Sequence, residues 1–390
     1  MNTKSILIQS LILIHILMLT KYETQAQNKN NFIEAGVIQD FASNMRGGIR
    51  TGKAHLGLIN LDFTFSTEAS NLWENGTFRF QIQNTHGHRP TENLVGDIQV
   101  FSNIENGTYT YLYQIWYKHR FRNFSVLLGK HDMNEEFFAS DYGGEYINSS
   151  FGIMPAVSLN VPISIFPMTT LGMVSQYDIN NSMAVKAGVY NGVPGEITHT
   201  NFGMDLNLNK ENGLFYVGEL RLKTRISDKP GTYKAGLFHH SGEFNTLKNP
   251  SDIEKGASGF YLIADQFIFS ESADEVQGLG TLLQMGYSPG NTSINDFYMA
   301  YGLNYTGLFS GRDSDVLGLA VAHSSLNDGM YKNNPTNYET CETAIEFTYK
   351  FKAVESITIQ PNIQYIINPG MQSTYDNALV GLLRIQWEYN

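Results

Sequence analysis

The feature that most constrains the fold of this chain is an alternation of apolar and polar residues with a period of two. From Ile59 to Phe65, the odd positions hold Ile, Leu or Phe, and the even positions hold Asn, Asp or Thr. A helix would repeat its apolar residues every three or four positions, so this pattern predicts β-strands. The same alternation recurs at 78–83, 109–120, 345–352, 357–365 and 379–389.

Weaker alternation predicts further strands between these segments. They are expected near 124–129, 168–177, 183–191, 202–209, 214–224, 232–240, 259–269, 279–288, 296–306 and 315–324. Turn signals such as Asn75-Gly76, Asn191-Gly192 and Asp328-Gly329 separate the runs. The sequence therefore predicts an all-β fold of about sixteen strands.

The first residues have the layout of a secretory signal peptide. Lys4 precedes an apolar core at 6–19, and Thr24-Gln25-Ala26 supplies small residues for cleavage. We expect a signal peptide over 1–26, a short periplasmic segment over 27–53, and a β-barrel domain over 54–390. An uncleaved membrane anchor is the alternative, but the apolar stretch is short for a spanning helix.

A second uncharged stretch, 151–177, is long enough to raise the question of a membrane helix. Pro155, Pro162 and Pro167 lie inside it, and each interior proline costs a helix about 3 kcal/mol. We interpret the stretch as an extended connection followed by a strand. An exported chain without helical spans is either soluble or crosses a membrane as a closed sheet.

The composition of the two strand faces separates these alternatives. Phe, Tyr, Ile and Leu dominate one face, with Tyr or Trp near strand ends, and Gln, Asn, Thr, Lys and Glu dominate the other. Lipid outside and water inside a barrel require this arrangement. The charged fraction of 16% also suits a wall that faces lipid, because about 25% is usual. The sequence predicts a transmembrane antiparallel β-barrel with an aqueous lumen, and a secreted glycan-binding β-sandwich is the soluble alternative.

Several other classes of function are excluded or weakly supported. The single Cys341 permits no internal disulfide, and a net charge of −11 argues against nucleic-acid binding. Gly47–Lys53 has the spacing of a phosphate-binding loop, but Ala54 replaces the hydroxyl residue and no helix pattern follows. His86 with His88 and His239 with His240 lack carboxylate or thiol partners, so we interpret them as loop histidines and expect no metal. No cofactor is expected.

Ordered motifs run through most of the chain. They are GDIQVFSNIE at 96–105, GKHDMNEEF at 129–137, NSSFGIMP at 148–155, GVYNGVPG at 188–195, YKAGLFHHSGEF at 233–244, GFYLIADQ at 259–266, the segment 286–315, IQPNIQYIINPG at 359–370 and the closing NALVGLLRIQWEYN. Together they resemble the motifs of the carbohydrate-selective porin family, also called OprB-type porins. The resemblance covers the chain from about residue 54 to the end. Two positions depart from it: Asn390 follows the usual terminal aromatic, and Gly290-Asn291-Thr292 replaces an Asp-Arg pair.

The resemblance implies a sixteen-stranded porin of the outer membrane that lets small sugars diffuse inward. The partners implied are outer-membrane lipid and lipopolysaccharide, the barrel-assembly machinery and sugar solutes, with either a monomer or a homotrimer. Acidic residues in loops, Asp313, Asp315, Glu339 and Glu342, are candidates for divalent cations that bridge lipopolysaccharide. A general-diffusion porin without sugar preference and an outer-membrane barrel enzyme are the alternatives, although no hydrolase motif occurs.

Alternation also predicts which side chains line the lumen. The inward set contains Arg79, Gln81, Gln83, Gln114, Lys118, Arg120, Glu219, Arg221, Lys223, Glu346, Lys350, Gln360, Gln364 and Arg384. Trp116 falls on the inward face, where it could stack on a sugar ring or fill space beside a loop. Asp265 and Gln266 could face the lumen too.

The acidic, aromatic segment that begins at Lys130 lacks a strand pattern. It contains Asp132, Glu135, Glu136 and Asp141. We expect it to fold into the lumen as a constriction loop, whereas a solvated surface loop is the alternative.

Overall fold

The alternating segments close into one antiparallel barrel. The computed structural model describes residues 31–198, 201–204, 206, 210–271, 276–333 and 336–389. Within them, sixteen strands pair with their neighbours in the chain, and β1 also pairs with β16. The strands are β1 (Phe32–Gly48), β2 (Gly52–Ser66), β3 (Gly76–Gly87), β4 (Tyr109–Phe121), β5 (Phe124–His131), β6 (Thr170–Asp178), β7 (Met183–Asn191), β8 (Leu214–Ile226), β9 (Lys229–Asn245), β10 (Ile253–Ser270), β11 (Gly278–Tyr287), β12 (Asn295–Thr306), β13 (Val316–Leu326), β14 (Cys341–Val354), β15 (Ile357–Ile367) and β16 (Asp376–Tyr389). The predicted barrel of about sixteen strands is confirmed.

The connections differ between the two ends of the barrel. Turns at one end are short, as at 122–123, 227–228 and 355–356, and we call it the short-turn end. The other end carries the segments 88–108 and 132–169 and is called the long-loop end. Short helices occur at Thr91–Val95, Met133–Glu135, Gly143–Glu145, Ser149–Phe151, Pro155–Ser158, Lys210–Asn212, Asp328–Asn333 and Pro369–Met371. None of the helices in the described part of the chain is long and apolar enough to cross a membrane.

The first strand begins earlier than predicted. Residues 27–53 were expected outside the barrel, yet β1 pairs with β2 along its length and with β16 from Ala35 to Gly48. The expected boundary at residue 54 is therefore wrong, because closure requires this strand. The predicted strand at 202–209 is also wrong in part: residues 201–203 form a turn, and several of the others lie outside the described residues, as does the predicted signal peptide.

A β-bulge in β4 changes the phase of its alternation. Gln81 of β3 pairs with Gln114 of β4, and the next residue of β3, Ile82, pairs with Leu112. Tyr113 is therefore the extra residue of β4 and has no residue opposite it on β3. Tyr111 and Tyr113, predicted to face lipid, are buried inside, where their hydroxyls donate to Gln83 and to Asp132. Beyond the bulge the predicted phase holds, since Ile115 is 45% exposed.

Two segments from the long-loop end occupy the barrel interior. The segment 132–169 contributes Phe137, Phe151 and Met154 to an apolar cluster with the inner wall, and these side chains are fully buried. The segment 88–108 contributes Val95 and Phe101 to a second cluster. The predicted inward folding of the first segment is confirmed, whereas the second inward segment was not predicted. Each cluster stabilises its segment by removing apolar surface from water.

Aromatic side chains gather on the outer face at the short-turn end. The Phe78 and Tyr117 rings lie 4.6 Å apart, and Trp73 packs edge-on against both. The indole N–H of Trp73 donates to the Tyr117 hydroxyl at 2.7 Å. Such amphipathic rings are typical of the level where a barrel meets the membrane–water interface.

Candidate functional site

Arg79, Trp116 and Glu135 come together on the inner face of β3 and β4. Alternation aims Arg79 and Trp116 inward, and the inward segment brings Glu135 to them. Arg79 pairs with Asp62 of β2 at 2.5 Å and with Glu135 at 2.7 Å. Its guanidinium carbon lies 6.0 Å from the centre of the Trp116 ring. Glu135 keeps 42% of its side chain exposed, so this cluster is accessible to solvent.

A second cluster links the inward segment to β4 and β7. Glu136 pairs with Lys186 at 2.6 Å and with Lys118 at 3.6 Å. Burial alone would raise the pKa of Glu136, but Lys186 and Lys118 outweigh burial and lower that pKa. One carboxylate thus holds two cations, and Lys118 remains more than a third exposed.

Further along the inward segment, wall carboxylates hold its backbone and side chains. Asp265 of β10 accepts from the Ser140 hydroxyl at 2.5 Å and from the Asp141 N–H at 2.9 Å. Glu346 of β14 accepts from the N–H groups of Ile147 and Asn148 at 2.7 and 2.9 Å. Charge-assisted bonds of this kind are about twice as strong as neutral ones, so they fix the path of the segment across the lumen.

Eleven residues predicted to face the lumen are buried instead, and six of them are Gln81, Gln83, Gln114, Glu346, Gln360 and Gln364. The other five are Lys130, Asp132, Glu219, Asp265 and Arg384, which are each less than a tenth exposed. Packing by the inward segments covers them, which alternation within a strand cannot predict. Their side chains bind protein groups and support the wall or the segment.

The contacts of Lys130 and Asp132 illustrate this support. Lys130 donates to the Tyr113 carbonyl at 3.1 Å and to the Thr169 hydroxyl. The Tyr113 hydroxyl and, at 2.8 Å, the Asn134 N–H donate to Asp132. Burial raises the pKa of Asp132 to about 7, against the effect of the Tyr113 hydrogen bond.

Arg120 and Arg221 lie on the inner face nearer the short-turn end. Arg120 pairs with Asp178 at 2.9 Å and its side chain is 62% exposed. Arg221 of β8 is half-buried and stands opposite Lys234 of β9. Neither residue reaches the cluster around Arg79, so the predicted set does not form a single site. Gln266 faces outward, where it contacts Tyr233.

The segment 88–108 contributes charges that the sequence did not single out. Glu105 accepts the Thr91 N–H with both oxygens at 3.1 Å, and burial raises the pKa of Glu105 to about 7. Glu105 lines a cavity of about 660 Å³ at the long-loop end, together with Arg89, Glu92 and Glu196. A neighbouring cavity of about 430 Å³ lies between the two inward segments. The motif at 96–105 marked this stretch, but nothing local in it predicts that it folds inward.

Some predicted groupings of charged and metal-binding side chains are not formed. Asp313 and Asp315 lie in the turn before β13, at the short-turn end, whereas Glu339 is at the long-loop end and Glu342 is buried. The four carboxylates expected to bind bridging cations therefore do not form one cation site. His86, His239 and His240 lie in strands and not in loops. In the described part of the chain, no three His, Cys, Asp or Glu side chains converge in a way that could hold a metal.

A closed sixteen-stranded barrel with inward segments and a lumen lined by polar side chains defines the class of porins. Residues 51–389 match the model of the family described as "Carbohydrate-selective porin, OprB family", and the chain belongs to that family. It is accordingly an outer-membrane porin for carbohydrates, and the sequence-based resemblance is confirmed.

Individual relatives agree with this assignment. The chain is 22% identical to Porin B of Pseudomonas aeruginosa over 93% of its own length and 88% of the relative's. The high-pH structure of OprB from Pseudomonas putida superposes with a TM-score of 0.85 and 20% identity, covering 95% of this chain and 97% of the other. The outer-membrane channel DcaP of Acinetobacter baumannii has the same fold at a TM-score of 0.55 and 10% identity, covering 93% of this chain and 99% of the other.

Proposed function

We propose that the cluster of Arg79, Trp116, Lys118 and Glu135 forms the constriction at which this porin sorts sugars. The observation that carries the proposal is that Arg79 lies over the Trp116 ring inside the lumen, while Glu135, bound to Arg79, and Lys118, two residues further along β4, stay partly exposed. Guanidinium, ammonium and carboxylate groups replace the hydrogen bonds of a sugar's hydroxyls to water. The apolar face of a pyranose ring can stack on Trp116.

The inward segment holds one half of this cluster in place. Glu135 is bound by Arg79 and, at 2.7 Å, by the Gln114 amide. The next residue of the segment, Glu136, is held by Lys186 of β7. A fixed segment gives the opening a fixed width, and a fixed width is what allows discrimination by solute size and by hydrogen bonding.

Liposome swelling with a graded series of sugars tests the proposal. Trp116→Ala should slow uptake of glucose and maltose relative to an acyclic polyol of similar size, because the stacking surface is lost. Trp116→Phe keeps an aromatic face and should retain most of the preference. Trp73→Ala, which removes a tryptophan from the outer face, is the matched control. Equal uptake of all solutes by the wild type and by both Trp116 variants would favour a general-diffusion porin.

We also propose that the barrel-assembly machinery recognises β16, which carries outward aromatic and aliphatic side chains up to Tyr389. Chemical cross-linking of the protein in outer membranes distinguishes a monomer from a homotrimer. The family and the fold indicate a channel, and the chemistry assigned here is solute binding without reaction.

A further inference from the structure

The inner face of β8 and β9 carries basic side chains that the proposed sugar constriction does not use. Arg221 and Lys223 alternate inward on β8, and Lys234 is inward on β9. Arg221 and Lys234 are direct cross-strand partners. Cβ atoms of such partners are about 5 Å apart, and like charges in this arrangement destabilise a sheet. The wall therefore maintains a repulsion that an anion between the two side chains would relieve.

Among the described residues, Arg221 and Lys223 are not paired with a carboxylate, whereas Lys234 is attracted to the buried carboxylate of Asp265. Lys234 also donates to the Ala139 carbonyl. Lys118 and Lys186, on the same side of the barrel, share the single carboxylate of Glu136. The β8–β9 wall thus carries an excess of positive charge.

The carboxylates nearest to this wall are occupied by other donors. Glu219 accepts from the Tyr261 hydroxyl at 2.7 Å, and Asp265 accepts from Ser140 and Asp141. Both are buried, whereas Arg221 is half-buried and Lys223 is exposed. Across the lumen, Glu34 and Glu388 are the acidic residues of the β1–β16 wall near the short-turn end. The electric field across the lumen therefore draws an anion towards the β8–β9 side.

We propose that the β8–β9 wall binds anions in transit and that its solutes are sugar acids, meaning sugars or polyols that carry one carboxylate. This inference rests on the proposed sugar-sorting constriction. A guanidinium fork matches the two oxygens of a carboxylate, and the neighbouring ammonium groups of Lys223 and Lys234 add charge without fixed geometry. The polyol part of such a solute uses the same hydroxyl-binding groups at the constriction as a neutral sugar does.

Uptake of gluconate and glucose by liposomes, together with zero-current potentials in a KCl gradient, tests the inference. The wild-type channel should favour chloride over potassium and should take up gluconate as readily as glucose. Arg221→Gln with Lys223→Gln should lower the gluconate-to-glucose uptake ratio several-fold and shift the zero-current potential towards potassium selectivity. Lys234 is left intact because it also holds the inward segment.

Matched variants separate charge from folding. Arg122→Gln with Lys229→Gln removes the same charge next to the turns at the same end of the barrel and should leave the ratio unchanged. Arg221→Lys with Lys223→Arg keeps the charge and should keep gluconate uptake. An unchanged gluconate-to-glucose uptake ratio in the variant with Arg221→Gln and Lys223→Gln overturns the assignment of sugar acids. Uptake of glucose 6-phosphate with exclusion of gluconate overturns it as well. Equal uptake of glucose and of an acyclic polyol of similar size by the wild type and by both Trp116 variants would instead refute the proposed constriction.

Discussion

Glu105 is a residue whose charge state changes in the range of pH that the outer membrane meets. It lines the cavity at the long-loop end and holds the Thr91 N–H. Burial places the pKa of Glu105 at about 7, well above its ordinary value of 4.5. The folded protein therefore binds this proton more tightly than the unfolded chain does, and ionisation of Glu105 weakens the fold.

The first prediction concerns this pH dependence. The contribution of Glu105 to the free energy of unfolding should be greatest below pH 4.5. It should fall by roughly 3 kcal/mol as the pH rises to about 7. Glu105→Gln should remove that slope and stabilise the protein at pH 8. Denaturant unfolding between pH 4 and 8 measures this pH dependence of the free energy of unfolding. Glu92→Gln, at an exposed position, is the control. Parallel slopes for Glu105→Gln and the wild type would contradict this role.

At the scale of single elements, the inward segment 132–169 depends on residues of the wall. Glu346 accepts two backbone N–H groups of the segment and the Asn362 amide at 2.5 Å, so all its partners are donors. A glutamine at this position would present an NH₂ group to another donor. The segment would then lose part of its attachment to β14 while the barrel wall keeps its strand pairing.

The second prediction follows from this attachment. Glu346→Gln should give larger and noisier single-channel conductance, because the segment no longer holds one position in the lumen. The barrel should still show heat-modifiable migration on gels. Glu339→Gln, in an exposed part of the loop before β14, should conduct like the wild type. Wild-type conductance in the Glu346 variant would mean that this bond does not set the opening.

The elements also show what local sequence can predict. Strand identity and lumen-facing side chains followed from a period of two, as at Arg79 and Glu346. Tyr113 did not, because a bulge shifts the phase of β4 and leaves the composition of the segment unchanged. Burial of Lys130 and Asp265 depends on contacts with a distant segment, which no pattern within one strand contains. The strand β1 was missed because its outer face includes Gln39 and Ser43, which weakens the apolar alternation.

At the scale of the whole molecule, one ion pair lies where the barrel closes. Asp40 of β1 and Arg384 of β16 form two hydrogen bonds of 2.7 Å, and both side chains are buried. Asp40 also accepts from the Ser102 hydroxyl at 2.7 Å. The Asp40 carboxylate therefore connects the two strands that close the barrel with the segment 88–108.

The third prediction tests this junction. Arg384→Met should destabilise the barrel by about 3–5 kcal/mol, because it leaves the buried Asp40 carboxylate without a cation. The double variant with Asp40→Asn should recover most of that loss. The free energy of unfolding of both variants is measured in detergent micelles. A loss of stability in the double variant as large as in Arg384→Met would indicate that packing, and not charge, matters at this position.

Because Asp265, Glu346 and Lys234 hold the inward segment through its own backbone and side chains, the segment is not a portable module. Grafting it onto the barrel of a relative would require the matching wall residues to be transferred as well. Conversely, Trp116 on the wall and Glu135 on the segment can change one at a time without breaking those anchors. For the proposed constriction, a new solute preference would therefore arise more easily by point substitution than by exchange of whole loops.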